Sequence, residues 1–385
     1  MKEIKLAEET IDKKDISALI EWLQTEPQLT KGPLTQEFEQ KWSQWLGVKY
    51  SVFVNSGSSA NLIALYSLIT TGQLKNKKII LPAVSWATTV SPAIQFGLTP
   101  FLCDCNKSNL GLDIDHLEKL FKKEKPSALF IVHVLGFPND MDRITELCKT
   151  YSVKLIEDSC ESIGSTFNNT KTGCFGDLST FSFFFGHHMS TIEGGMVCTN
   201  DRDLYALLLS LRSHGWDRDL PADIQRKWRK TSKVSDFRAL YTFYHPGFNL
   251  RPTEPQAFLG IRQLSKIDKI ITKREENFRL YHSLIKNKEW KINPRNAGQI
   301  SNFAYPIITS HLNKLTTKLM ENKIQCRPLV CGSINKQPFW TKRYPSQHTP
   351  TADWIHDYGL YLPNHPQLSK NDIEFTSSIV NQVTN

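Results

Sequence analysis

Seven short apolar or β-branched runs, separated by segments with helical patterning, constrain this chain more than any other feature. They are Ser51 to Val54, Lys78 to Pro82, Pro100 to Cys103, Ala128 to Val134, Val153 to Glu157, Leu178 to Phe183 and Met196 to Thr199. Runs of this length read as strands buried on both faces, and strands alternating with helices predict a mostly parallel sheet in an α/β layered fold. Leu62, Leu65, Tyr66 and Ile69 recur at helical spacing between the first two runs, as a crossover helix requires. After Leu250 the texture changes. Long helical stretches such as Gln256 to Ile285 are followed by a strand-like segment near Phe303 to Thr309 and a helix from His311 to Asn322. The 385 residues suffice for two cores, so the expected domains are a large α/β unit at 1–250 and a smaller α+β unit at 251–385. The stretch from Cys326 to Pro350 reads as an ordered surface loop.

Composition narrows the function classes. The longest apolar run, around Ala128 to Phe137, is too short to span a bilayer, and Met1-Lys2-Glu3-Ile4-Lys5 lacks a signal-peptide core, so a cytoplasmic enzyme without membrane partners is expected. Eight cysteines in a chain this large read as reduced thiols rather than a disulfide framework. The formal charge of +9 is spread out, with one concentration from Arg226 to Lys233, where Trp228 is the only aromatic. That pattern fits a solvated basic loop or a contact to an anionic small molecule, and nucleic acid is not expected as a partner.

Two sites read from the residues themselves. Asn55-Ser56-Gly57-Ser58-Ser59-Ala60-Asn61 follows a strand and opens a helix, so the amides around Gly57, Ser58 and Ser59 converge where a phosphate would sit. A capped helix start would look the same. Asp158 stands at the carboxyl end of a predicted buried strand, where ligand sites gather in open α/β sheets. A carboxylate there can pair with a protonated pyridine nitrogen, or merely cap the next helix.

The segment Thr180-Phe181-Ser182-Phe183-Phe184-Phe185-Gly186-His187-His188-Met189-Ser190-Thr191-Ile192-Glu193-Gly194-Gly195 decides between these readings. Other segments accompany it in order: Gly32-Pro33-Leu34-Thr35, Glu157 to Ser162, Leu211 to Gly215, Gly247 to Arg251, Cys326 to Leu329 and Leu362 to Pro366. Together they resemble the DegT/DnrJ/StrS sugar aminotransferases over nearly the whole chain. The resemblance implies the aspartate-aminotransferase fold, pyridoxal phosphate as cofactor and a homodimer with shared active sites. In that family a lysine seven residues before the paired glycines carries the cofactor as a Schiff base; here the position is His187. Histidine cannot form that bond but can exchange protons near neutral pH.

The His187-His188 pair matches the nucleotide-linked 4-keto-6-deoxyhexose 3-dehydratases of the family, which use pyridoxamine phosphate to remove a C3 hydroxyl, with L-glutamate restoring the amine. By that resemblance His187 is the acid/base, and His188 is structural. Trp86 matches the aromatic stacked on the pyridine ring, Ser182 a phosphate contact, and Asn249 the residue supplied by the neighbouring subunit. Glu161 stands where aminotransferases commonly have glutamine. Arg251 and Arg327 are candidates for substrate or glutamate contacts, with surface ion pairs as the alternative. One branch of these dehydratases carries an iron-sulfur cluster, which needs several thiolates together. No cysteine occurs from 199 to 325, so neither a cluster nor any other metal is expected. This points to the reductase-independent branch, with GDP-4-keto-6-deoxymannose as substrate and a role in dideoxysugar and lipopolysaccharide biosynthesis. Two other readings stay open: an aminotransferase acting on a nucleotide-linked or free keto sugar such as 8-keto-3-deoxyoctulosonate, and a catalytically silent nucleotide-sugar binder.

Overall fold

The structure is a computed structural model and describes residues 3–294 and 297–384. Its centre is a seven-stranded sheet built from β1 (Tyr50–Val54), β2 (Lys78–Pro82), β3 (Thr99–Cys103), β4 (Ala128–Val132), β5 (Lys154–Asp158), β6 (Leu178–Ser182) and β7 (Gly195–Thr199). In space the order is β1-β7-β6-β5-β4-β2-β3. The pairs β2/β3, β2/β4, β4/β5 and β5/β6 are parallel, while β7 runs antiparallel to both β1 and β6. The exception has a simple cause. Residues 183–194 between β6 and β7 contain no crossover helix, and parallel neighbours need one.

The crossover helix α1 (Gly57–Thr70) buries Ala60, Ile63, Ala64, Leu65 and Leu68. The expected stripe is thus only part of its contact surface. Leu62, Tyr66 and Ile69 are half-buried on a second side, where Tyr66 meets Phe96 and Phe248. A helix covered on more than one side shows little amphipathic pattern. The next crossover helix, α2 (Ala87–Gln95), starts directly after Trp86.

Beyond residue 250 the predicted single helical stretch is two helices, Glu254–Leu264 and α3 (Ile267–Leu284), broken at Ser265-Lys266. A small antiparallel sheet follows, in the order β8 (Tyr305–Ile308), β10 (Gly359–Leu362), β9 (Arg327–Pro328). Two sequence expectations are corrected. Residues 326–350 are not a surface loop: Leu329, Ile334 and Trp340 are buried, and short helices begin at Pro338 and Pro350, prolines being well tolerated in a helix's first turn. The basic segment is a helix, Ala222–Thr231, in which Arg229 pairs with the buried Asp217 and with Asp236. Among the described residues no helix is long and apolar enough to cross a membrane, and all eight cysteines are free thiols.

Candidate active site

The carboxyl ends of β4, β5 and β6 and the amino ends of α1 and α2 meet at one cavity of about 400 Å³. This is where ligands gather in open α/β sheets, because strand ends and helix starts leave backbone groups without partners. Val132, Asp158 and Ser182, the last residues of three strands, line it, with Gly57, Ser58, Trp86, Glu161 and His187.

At one end lies an anion cradle. The Ser56 side chain caps α1 by accepting from the Ser59 amide at 3.1 Å. As the first two residues of the helix, Gly57 and Ser58 have amides with no intrahelical acceptor, and the helix dipole adds partial positive charge. Gly57 lies so close to Ser182 that a β-carbon there would stand 2.6 Å from the serine's Cβ and 2.9 Å from its Oγ. The contact brings the serine hydroxyl beside the free amides. Ser59 was grouped with these residues but does not line the cavity, because its amide is spent on the cap.

Asp158 is 3% exposed at the cavity wall. Its Oδ2 accepts from Asn61 Nδ2 at 2.8 Å and Thr89 Oγ1 at 2.7 Å, and its Oδ1 from the Cys160 amide at 3.1 Å. Asn61 is itself oriented by Thr180, whose hydroxyl donates to Asn61 Oδ1 at 2.6 Å. Three donors fix the orientation of this buried carboxylate at the cavity wall, where a ring nitrogen could meet it. Sequence reading missed Asn61, Thr89 and Thr180. The available signal was a polar residue in an otherwise apolar helix turn.

His187 also lines the cavity. Its amide donates to the Phe184 carbonyl at 2.9 Å, its carbonyl accepts from Arg274 at 3.2 Å, and its buried Nδ1 has no protein partner. Burial pushes the imidazole down to about 4, and the Arg274 guanidinium pushes the same way, against Asp158 and the Cys160 backbone. The ring is therefore neutral at physiological pH and able to accept a proton. His188 points away into the interior, with Nε2 3.0 Å from the Ser301 carbonyl. Half-buried Glu161 accepts from the Leu135 amide at 2.7 Å; burial, followed by the nearby Asp158 charge, raises its carboxyl to about 7 despite that bond. Trp86, 56% exposed, presents its indole at the rim.

Three candidates lie elsewhere. Asn249 and Arg251, bonded to each other at 3.1 Å, line a separate surface pocket with Lys31, Trp216 and Arg218. Arg327 is exposed on β9 and bonds only the neighbouring Cys326 carbonyl, though its strand pairs with Tyr361, a cavity residue. Among the described residues no lysine lines the cavity. Lys171, the nearest upstream, bonds the Trp45 carbonyl and lies over that indole at 4.1 Å, so it cannot replace the missing Schiff-base residue. Free helix-start amides beside a hydroxyl, a hydrogen-bonded carboxylate and an exposed indole fit pyridoxal phosphate without a covalent tether.

The chain belongs to the DegT/DnrJ/EryC1/StrS aminotransferase family, whose model matches residues 9–383. It is 35% identical to a GDP-4-keto-6-deoxy-D-mannose 3-dehydratase of Yersinia pseudotuberculosis, over 94% of this chain and 93% of that one. A crystal structure of GDP-4-keto-6-deoxymannose-3-dehydratase with a trapped PLP-glutamate geminal diamine superposes with a TM-score of 0.90 at 32% identity, covering 98% of this chain and all of that one. A histidine-to-asparagine mutant of the same enzyme, with bound GDP-perosamine, gives the same TM-score, identity and coverage. The expected family and fold, that of the aspartate aminotransferases, are thereby established.

Proposed function

We propose that this protein removes the C3 hydroxyl of a nucleotide-linked 4-keto-6-deoxyhexose, GDP-4-keto-6-deoxymannose in the first instance, using pyridoxamine phosphate regenerated from L-glutamate. The observation that carries the proposal is a neutral imidazole, His187, at the position of the family's lysine, in a cavity that no lysine enters among the described residues. The names of the relatives support the substrate, and the glutamate adduct in the solved relative supports the amine donor.

Gly57, Ser58 and Ser182 hold the phosphate, Asp158 faces the pyridine nitrogen, and Trp86 covers the ring. Bound there, pyridoxamine phosphate would supply an amine for the C4 ketone and a ring able to store electrons as the C3–O bond breaks. His187 takes the proton from the cofactor's C4′ carbon, which its neutral state allows without prior deprotonation. Overall C3 loses hydroxide and gains a proton, and hydrolysis returns the 4-ketone with release of ammonia; the two electrons that reduce C3 would come from the cofactor's amine form, which would leave as the aldehyde and be restored by L-glutamate.

The same reading assigns a homodimer. Asn249 and Arg251 lie outside the cavity in a pocket with Arg218 and with Lys31, which pairs with Asp219 at 3.0 Å; the two arginines suit the phosphate of a partner's cofactor or nucleotide. Phe237, Leu240, Tyr241 and Phe243 are exposed nearby in sequence, as a surface covered by a second copy would be. Eight free thiols fit a reducing cytoplasm.

The test is mass spectrometry of the sugar after incubation with pyridoxal phosphate, L-glutamate and GDP-4-keto-6-deoxymannose. A product lighter by one oxygen with ammonia released supports the proposal. A 4-amino sugar makes the protein an aminotransferase, and an unchanged sugar without a pyridoxal chromophore makes it a silent binder.

A further inference from the structure

Arg274 stands out among the groups the mechanism leaves unused. It is 2% exposed on α3 and lines the cavity, yet no carboxylate lies within ion-pair distance of it among the described residues. Its guanidinium donates only to carbonyls. Nη1 reaches those of Phe303 at 2.9 Å, Asn364 and, at 3.5 Å, Asn302; Nη2 reaches that of His187 at 3.2 Å; Nε has no partner. Burying a cation without a counter-ion is costly, and burial alone lowers this one to about 9. A neutral amide could bond some of the same carbonyls at lower cost.

The carbonyls belong to segments far apart in sequence: the turn after β6, the approach to β8 and the residues after β10. Asn364 binds them together from the other side, donating to the Arg274 carbonyl at 3.1 Å and to Asn302 at 2.9 Å. The planar fork of arginine suits several acceptors held at fixed angles, which a lysine ammonium does not.

We propose that Arg274 is a positioning residue with two effects on His187: its hydrogen bond to the His187 carbonyl fixes the turn that aims the imidazole, and its positive charge disfavours a second cation beside it. The proposal rests on the reading of His187 as the acid/base group. The other titratable groups facing the ring are Asp158 from β5, Cys160 and Glu161 from the turn after it, and His188 beside it. Of these, Asp158 favours the protonated ring, so the cation on α3 opposes it. A second positive charge close to the first is disfavoured at any pH where Arg274 stays protonated.

The experiment compares wild type, Arg274→Gln, Arg274→Lys and His187→Asn as cofactor-loaded full chains. Imidazole NMR titration, with His187→Asn used to assign the His187 signal, reads the charge effect without relying on turnover. Arg274→Gln is expected to raise the His187 midpoint from about 4 by about one pH unit, with the acid limb of kcat/KM moving equally. Arg274→Lys keeps the charge and loses the fork, so its midpoint stays near the wild-type value while kcat falls about 10- to 100-fold at unchanged KM. An unshifted midpoint in Arg274→Gln overturns the charge effect, and wild-type kcat in Arg274→Lys overturns the positioning effect. If Arg274→Gln does not fold, the lysine variant still decides, because a raised midpoint there also refutes control by charge. Wild-type turnover in His187→Asn would instead sink the acid/base reading, independently of the titration.

Discussion

Replacing Asn61 by aspartate tests the hydrogen-bond network that holds the Asp158 carboxylate. The two side chains are nearly the same shape, but the change puts an oxygen where Nδ2 now donates to Asp158 Oδ2 at 2.8 Å. A hydrogen bond to a charged group is lost, worth about 1.5–3 kcal/mol. Two carboxylates at that distance also repel by about 6 kcal/mol at an effective dielectric of about 20. The folded pair avoids this repulsion by retaining one proton, so its upper apparent value rises well above the roughly 3.9 of an unfolded aspartate. A raised carboxyl pKa contributes stability that is fully present below the unfolded value and is lost as pH rises through the folded one. Asn61→Asp should therefore be less stable than wild type by about 4–6 kcal/mol at pH 8, the deficit shrinking by about 1.4 kcal/mol per pH unit down to about pH 4. Denaturant unfolding at pH 8 and pH 5 measures this, and absorbance titration with pyridoxal phosphate should show weaker binding by Asn61→Asp than by wild type. An equal deficit at both pH values would refute the reasoning, because no repulsion between the paired carboxyls would then contribute.

Three further outcomes follow from the same geometry. His187→Asn should cost no more than about 1 kcal/mol of stability, since the bonds from its amide and to its carbonyl are kept and only the ring's contact with the Cys160 backbone is lost, while turnover falls about 10²- to 10⁴-fold; loss of less than tenfold by mass-spectrometric assay would remove His187 from the proton-transfer role. Gly57→Ala pushes a β-carbon into Ser182 and should cost about 1–3 kcal/mol, with weaker phosphate binding by fluorescence titration; adding Ser182→Gly should recover the stability but not the affinity. Glu161, raised to about 7, holds its proton in the folded state above the pH at which it ionises when unfolded, so stability should decline as pH rises from about 4.5 through 7. Glu161→Gln should flatten that slope, and an unchanged slope in denaturation at pH 5 and pH 8 would show that the carboxyl titrates normally.

The sheet was legible because buried strands in an α/β layer are continuous apolar runs whatever their neighbours do. What the runs do not carry is direction, and the reversal of β7 follows from a linker too short for a crossover rather than from any residue within the strand. His187 was legible only by its register with the paired glycines. Arg274 was not legible at all: Lys273, Arg274, Glu275 and Glu276 form a charge run that reads as a solvated helix face, and only the packing of α3 selects one of the four for burial. Asn61 and Thr180 escaped for a related reason, since their partners lie 97 and 119 residues away along the chain. Residues 326–350 misled in the opposite sense: prolines and polar residues suggested a loop, while Leu329, Ile334 and Trp340 fill the core.

A covalent tether to a lysine holds a cofactor even when individual contacts are weak. With histidine in that place, the proposed site would retain the cofactor through the amides of Gly57 and Ser58, the Ser182 hydroxyl, the Asp158 carboxylate and the Trp86 face, and each loss would enter the binding constant directly. The hydrogen-bond chain from Thr180 through Asn61 to Asp158 is then part of cofactor affinity rather than background structure. The histidine also changes what the neighbouring charge must do. A lysine bound to the cofactor has no free cationic form to suppress, whereas an imidazole serving as a base is useful only while uncharged. On the proposal made for Arg274, a buried arginine on the next layer of the fold, bonded to the histidine's own carbonyl, adds to burial in meeting that requirement without entering the reaction.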